Sequence, residues 1–504
     1  MEWLQQAAKL AQGPDPKAAA RLVERLLREA PGDPDVLTVA GIAAQRSGDI
    51  EAALAYFAAA RSADPANPAR LVNQAVALKQ AGHLDEAIAA LRRSLDLRPD
   101  APVALANLGS CLIAADRADE ALVPLRQAVA VKSDHVEAWN NLGVALANVG
   151  KPADAVPAYR RALALRPNYA EAALNLVDAL VAQGEAAEAE SLARTLLAAM
   201  PGHPRASNQL AAMLDARGDL AGAIALYRQA LERGPNHALG INLAMALLRT
   251  GESREALSVC DALMAASPSI TTPLALRCAA LERLGEGEDL AELMALDRFV
   301  TVIDVEQADG FETMAAFDAA LLAELEVHPS LTFEPEGLVT RAGRQSDELA
   351  HDESPAIAAL ARLARKALGD WHDVQRGDDH PWLQARPDDW SLTLWGTILA
   401  PGGEVGSHIH APNWLSGVYY PAFRPPAGGT EGWFAIGALP EALGGGGTLH
   451  LREPRAGRMI LFPSYLWHCT LPFGGDEPRI SFAFDLVPKG TGNRHKLRRR
   501  TVQE

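Results

Sequence analysis

The pattern of apolar positions changes character once along the chain, near residue 299. Ahead of that point alanine and leucine dominate, and small and turn-forming residues recur with a fixed beat. Glycines stand at Gly48, Gly82, Gly150, Gly184 and Gly218, 34 residues or twice that apart, with Asp116 in the vacant place. Ala53, Ala87, Ala121, Ala155, Ala189 and Ala223 keep the same step. So do Pro65, Pro99, Pro167, Pro201 and Pro235, with Ser133 replacing the missing proline. Each unit therefore predicts a helix, a glycine turn, a second helix and a proline that opens the next unit. Small residues at fixed positions let the two helices of a pair approach closely. After Pro235 the register slips, so that Gly251 and Pro268 arrive one residue early. A degenerate helix pair around 271–298 is expected to cap the array, as stacked repeats require.

Beyond residue 299 the beat stops, tryptophans become frequent, and alternation with a period of two sets in. One amphipathic helix is readable between Ser354 and Trp371, with Ile357, Leu360, Leu363 and Leu368 on one side. Strands are expected at Ser391–Leu399, Val405–His410, Leu415–Tyr420, Thr448–Leu451, Arg458–Phe462, Leu466–Leu471 and Arg479–Val487. Short strands punctuated by Gly and Pro indicate a sandwich or jelly roll. The Gly- and Pro-rich stretch from Phe423 to Gly447 reads as a long loop, with a lid as the favoured role. The predicted division is a helical array over 1–298, a β domain over 299–490 and a basic tail over 491–504.

Composition narrows the function classes. A length of 504 residues requires more than one core. The formal net charge of −16 argues against broad nucleic-acid binding. Lys489, Arg494, Lys496, Arg498, Arg499 and Arg500 run the other way, and are expected to be a solvated tail. No apolar run reaches the length of a membrane span, and Met1-Glu2-Trp3-Leu4 lacks the layout of a signal peptide. Cys111, Cys260, Cys278 and Cys469 show no paired spacing, which suggests a reducing, cytoplasmic setting. Oligomeric state leaves no trace in the sequence.

The chemistry concentrates in three places. In Gly406-Ser407-His408-Ile409-His410 the two histidines share one face of a strand, as a metal edge requires. A lone His468 follows a turn and proline in Phe462-Pro463-Ser464-Tyr465-Leu466-Trp467-His468. In Arg479-Ile480-Ser481-Phe482-Ala483-Phe484, Arg479 and Ser481 share one face, and Ile480, Phe482, Phe484 and Leu486 the other. A turn at Gly474 and Gly475 would bring Arg479 beside His468, where a buried guanidinium could hold a small dicarboxylate by two parallel hydrogen bonds. Taken singly, the paired histidines could be surface residues and His468 a core residue. Arg479 and Ser481 reverse that reading for His468. His450 reads as ordinary, and Thr340, Arg341 and Arg344 as either substrate contacts or a solvated loop.

Two family resemblances rest on these residues. Over residues 1–298 the period and the placement of Gly, Ala and Pro resemble the tetratricopeptide repeat. Asn73, Asn107, Asn141 and Asn175 recur at the same step, Gln209 continues the series, and Asn242 rejoins it after the slip. The resemblance places this position on the concave groove, where amides can hold the main chain of an extended peptide. The other reading is that they satisfy polar groups between helices. The lysine and arginine pattern of a carboxylate clamp is not evident.

Over about 335–487 the order of motifs resembles the 2-oxoglutarate/Fe(II) oxygenases. It is especially similar to a family of oxygenases with His-x-His followed by Leu415-Ser416-Gly417-Val418-Tyr419-Tyr420, opened here by Gly337-Leu338-Val339-Thr340-Arg341. The resemblance implies a double-stranded β-helix with flanking helices. It also implies Fe(II) held by His408, His468 and His410, and 2-oxoglutarate held by Arg479 with Ser481. Tyr419 and Tyr420 alternate faces, and Tyr420 is taken as the cosubstrate contact. In one respect the sequence departs from the family: the usual carboxylate ligand sits two residues after the first histidine, and here that position is His410. No acidic residue occurs from Val405 through Thr430. Either three histidines bind the metal, or His410 does another job and water or halide completes the sphere. The expected function is an Fe(II)- and 2-oxoglutarate-dependent dioxygenase, a hydroxylase of a protein or peptide recruited by the repeats. A cupin-like metalloenzyme without 2-oxoglutarate and a repeat scaffold with an inactive oxygenase domain are the alternatives.

Overall fold

The computed structural model describes residues 2–12, 16–335, 337–374, 379–424, 429–474, 477–492 and 494–497. Gly475 and Arg498 through Arg500 lie outside them. The chain divides into two compact units, Met1–Met213 and Leu214–Glu504.

The first unit is a run of antiparallel helix pairs, among them Pro68–Gln80 with Leu84–Leu97, Pro102–Ala114 with Ala118–Val131 and Val136–Asn148 with Pro152–Leu165. Proline opens several of these helices, where its missing N–H costs nothing. The turn within each pair needs a left-handed residue. Gly48, Gly82, Gly150 and Gly184 supply it, and Asp116 adopts it too, at φ 58°. The beat of the sequence is thus a backbone requirement that aspartate can meet at some strain. A second glycine series, Gly109 and Gly143 among them, sits where helices touch. A Cβ on Gly143 would lie 2.5 Å from the Tyr159 ring, which is itself buried.

In the second unit, helices from Leu220–Leu231 to Gly287–Met294 precede a curled antiparallel sheet. Its strands are β1 (Thr301–Asp304), β2 (Thr332–Phe333), β3 (Thr340–Gln345), β4 (Trp390–His408), β5 (Leu415–Tyr420), β6 (Phe434–Ile436), β7 (His450–Arg452), β8 (Arg458–Pro463), β9 (His468–Thr470) and β10 (Arg479–Pro488). Their order is β1-β8-β5-β10-β4-β9-β6-β7, with β3 also on β4 and β2 on β3. One face carries helix Met314–Glu326 and helix Pro355–Val374. Phe482, Phe484 and Leu486 are fully buried, as the alternation of β10 required. Trp382 and Trp414 stack at 4.7 Å, and each indole donates to the other's carbonyl.

Several sequence expectations need correction. The helix pair expected as a terminal cap is covered, not polar on its outer side. Trp467 Nε1 donates to Ala275 O (2.8 Å), Tyr465 to Leu293 O (2.6 Å) and Thr271 to Asn413 O (3.2 Å). The stretch read as a loop from 423 to 447 contributes β6, which pairs with both β9 and β7. Of that stretch, 425–428 lie outside the described residues. The tail read as solvated folds back over 494–497: Leu497 is buried, and its N–H donates to Asp347. No described helix is long and apolar enough to cross a membrane.

Overpacking a close helix contact typically costs about 1–3 kcal/mol. Gly143→Ala is therefore expected to lower stability by about that much, despite alanine's better helix propensity, in urea unfolding of the full chain. An unchanged midpoint would mean that Tyr159 moves aside freely.

Candidate functional site

Three imidazoles converge at one end of the sheet. His408 ends β4 and is the register partner of His468 on β9, after a bulge between Val405 and His408. His410 follows immediately, its main chain held by Ser464 O (2.9 Å). Ring centroids lie 4.3–4.9 Å apart, and one nitrogen from each ring lies within 4.8 Å of the others.

The outer nitrogens are all engaged. His408 Nδ1 lies 2.9 Å from Gly406 O and His468 Nδ1 2.9 Å from Leu466 O. His410 Nδ1 lies 2.8 Å from Asp485 Oδ1. Carbonyl and carboxylate oxygens accept, so each Nδ1 carries a proton, and a neutral ring then leaves Nε2 a bare lone pair. His408 and His410 aim these nitrogens at each other across 3.0 Å. Two lone pairs at that separation repel unless a proton or a metal ion lies between them. Burial, reinforced by His410, pushes His408 down to about 3, and burial holds His468 well below its ordinary value. Neutral, preoriented imidazoles are what a metal ion needs. Phe434 and Phe462 wall His468 on its apolar side.

Arg479 is 2% exposed, and no carboxylate among the described residues pairs with it. Its Nε donates to Gly432 O (2.9 Å). Nη1 and Nη2 reach Ser481 Oγ and the Tyr420 hydroxyl only at 3.4 Å. The guanidinium also lies over the Tyr420 ring, 5.1 Å from its centroid. Burial lowers the arginine's pKa, yet a guanidinium starts so basic that it remains a cation at neutral pH. A buried cation with two under-used donors can receive an anion. Tyr419 points to the other face, where its hydroxyl donates to Asp318 (2.6 Å).

A single cavity of about 50 Å³ joins His408, His410 and His468 to Arg479, Ser481 and Tyr420. Gln345 and Trp395 also line it, and Gln345 Oε1 is buried without a partner. A wider opening of about 300 Å³ shares His408, His410, Gln345 and Trp395, and adds Leu338, Ile409, Arg494 and His495. The histidines thus stand between the inner cavity beside Arg479 and an outer mouth.

Three residues of the site escaped the sequence reading. Asp485 lies two strand repeats beyond Ser481 on the same face of β10, so the alternation that found Arg479 and Ser481 could have found it. Trp395 carried no motif. His495 stacks on Trp395 at 4.5 Å, with its N–H on Thr393 Oγ1 (3.0 Å). Thr340, weighed as a substrate contact, is buried, and its hydroxyl accepts from Gln345. Arg341 and Arg344 are exposed.

The amide ladder is uneven. Asn73, Asn107 and Asn141 are half-buried, and their side chains make no hydrogen bond among the described residues. Asn175 is occupied instead, donating to Asn140 (3.0 Å) and accepting from Arg205 (2.8 Å). Gln209 donates to Leu174 O and Asp178. Asn242 is half-buried and also partnered.

The fold and site define a helical-repeat protein with a histidine-lined, arginine-containing β domain. Comparison places both halves in known families. Residues 7–68, 44–94, 78–148, 146–214 and 214–270 match tetratricopeptide repeats. Residues 393–485 match the family described as "Putative 2OG-Fe(II) oxygenase". The chain is a fusion of tetratricopeptide repeats with a C-terminal domain of that family. Among solved structures, a tetratricopeptide repeat protein from Parabacteroides merdae is 19% identical, covering 49% of this chain and 98% of its own, with a TM-score of 0.41. YrrB, described as a TPR protein with an unusual peptide-binding site, is 23% identical over 36% of this chain and 94% of its own, with a TM-score of 0.32. No curated protein matches the chain.

The buried rings make the metal-free protein acid-sensitive. An unfolded histidine titrates near 6.5, whereas folded His408 stays neutral to about 3 and His468 also stays neutral well below 6.5. Between those limits the unfolded chain binds more protons, so stability falls as pH drops below 6.5, by up to about 1.4 kcal/mol per pH unit for each ring. Thermal unfolding of the metal-free chain from pH 7.5 to 5 is expected to show this loss, and His468→Gln to flatten it. Parallel profiles for parent and variant would contradict the assignment.

Proposed function

We propose that the chain is an Fe(II)- and 2-oxoglutarate-dependent dioxygenase that oxidises a polypeptide recruited by its repeats. One observation carries this reading: three converging imidazole nitrogens share a single cavity with a buried guanidinium that no described carboxylate pairs with. His408, His410 and His468 are the ligands, their outer nitrogens already anchored. Arg479, with Ser481 and Tyr420, binds a carboxylate of 2-oxoglutarate, an anion of charge opposite to the guanidinium. Iron held there, with this cosubstrate and dioxygen, would supply oxidation of an unactivated C–H bond, one oxygen atom going to the product and the other to the succinate released with carbon dioxide. The protein's share is placement and dryness: Phe434 and Phe462 exclude water from one side, and the mouth beside Trp395 and His495 admits substrate.

The cupin-like alternative needs no anion receptor, and a burden-free scaffold needs neither lone pairs in opposition nor an unpaired buried cation. Both are disfavoured by Arg479, whose burial without a carboxylate is costly in any protein that does not use it.

Arg479→Ala is expected to leave metal binding intact and to remove a charge-assisted contact of about 2–5 kcal/mol. That raises the KM for 2-oxoglutarate about thirtyfold or more, measured by succinate release. Parental kinetics would return the choice to the cupin-like reading.

Asn73, Asn107 and Asn141, with their amides free, support a role in holding an extended main chain. Each hydrogen bond contributes about 0.5–1.5 kcal/mol, so one loss hides in error where three do not. The triple Asn→Ala variant is expected to keep its circular dichroism and its uncoupled 2-oxoglutarate turnover. It should retain about a tenth or less of the polypeptides that the parent captures from a cell extract, quantified by mass spectrometry. Equal capture would shift the substrate to a metabolite and leave the repeats as an assembly surface.

A further inference from the structure

Asp485 has a buried carboxylate with an unusual set of partners. It is 2% exposed on β10, opposite Ser416 of β5 and Thr393 of β4. Oδ1 accepts from Ser416 Oγ (2.7 Å) and from His410 Nδ1 (2.8 Å), and Oδ2 accepts from Asn413 Nδ2 (2.8 Å). Among the described residues no lysine or arginine pairs with it. A carboxylate buried against neutral donors is costly to keep unless a cation stands nearby. The three histidines are also unequal: His408 and His468 lean on main-chain carbonyls, and His410 alone is backed by an acid.

We propose that Asp485 is the positioning residue that makes His410 a metal ligand, returning through the imidazole ring the negative charge that a carboxylate ligand would otherwise bring. This role rests on reading the three histidines as the metal site. The carboxylate holds the proton on Nδ1, which turns the bare Nε2 toward His408. It also sets a negative charge one ring away from the bound cation, so that three neutral ligands face the metal with an anion behind them. Ser416 and Asn413 fix the carboxylate, and Ser464 extends the network to the chain that leads to His468 (2.8 Å to Ser416 Oγ). The absence of an acid between Val405 and Thr430 is thereby explained: the charge comes from β10, 75 residues further on. Groups that back a ligating histidine in this way typically change metal affinity by about 10–100-fold.

The test is Co(II) titration of the metal-free full chain, followed by visible absorption, for the parent and for Asp485→Asn. The variant preserves shape and removes charge. The proposal expects about a 10–100-fold weaker Kd and an altered Co(II) spectrum. A purely structural role would lower the unfolding temperature of the metal-free variant and leave Kd and spectrum unchanged, and that result overturns the proposal. A parent chain that takes up no Co(II) would instead overturn the metal reading itself. Should Asp485→Asn fail to fold, long-range 1H–15N correlation spectra of the Zn(II)-loaded parent decide. A proton on Nδ1 of His410 supports the proposal, and a proton on Nε2 overturns it.

Discussion

Strand β10 runs between β4 and β5, and this pairing sets most of the site. Its two-residue alternation sends Ile480, Phe482, Phe484 and Leu486 toward the apolar core. Arg479, Ser481 and Asp485 are sent the other way. β4 delivers His408 at its end, and β5 delivers Tyr420 beside Arg479 and Ser416 beside Asp485. A one-residue slip in β10 would put the guanidinium and the carboxylate into the core and the phenylalanines into the cavity. The hydrophobic pattern that stabilises the sheet therefore also fixes the chemistry.

Electrostatically, the site is held in tension. Two histidines are kept neutral by burial, and among the described residues Arg479 has no acid and Asp485 no lysine or arginine. Arg479 and Asp485 do not neutralise each other; they serve opposite ends of one cavity system. Each uncompensated group is costly alone, and under the proposed function each would be matched by a ligand of the opposite sign: an anion at Arg479, a divalent cation in front of His410. The covering helix Thr272–Leu284 and the 494–497 segment add to this by burying Trp467 and flanking Trp395. The last repeat helices thus belong structurally to the β domain they precede.

The repeats were legible because their 34-residue beat reflects backbone necessity, and Asp116 shows that necessity at a place where glycine is missing. β5, β8 and β10 were legible because their alternation is long and flanked by turns. β1, β3 and β6 were not: each is short or interrupted, and β6 lies in a Gly-rich stretch whose pairing depends on β9 rather than on its own sequence. His408, His410, His468 and Arg479 were found by motif. Asp485 was missed because a carboxylate was sought near the histidines along the chain, whereas the sheet supplies it across strands. Composition misled at the tail, where basic residues mask the stacking of His495 and the burial of Leu497. It misled again at Asn175, whose periodicity conceals an amide already spent on Asn140 and Arg205.

The central claim is that one cavity binds a divalent metal and a small dicarboxylate together. Two ligands sharing a cavity are thermodynamically coupled, and the coupling is reciprocal. Anaerobic calorimetric titration of 2-oxoglutarate into the full chain, with and without saturating Fe(II), measures it directly. The account predicts one equivalent bound in both cases, and an affinity at least about tenfold higher with the metal present, a coupling of about 1.4 kcal/mol. Absence of 2-oxoglutarate binding, or an affinity indifferent to Fe(II), would contradict it.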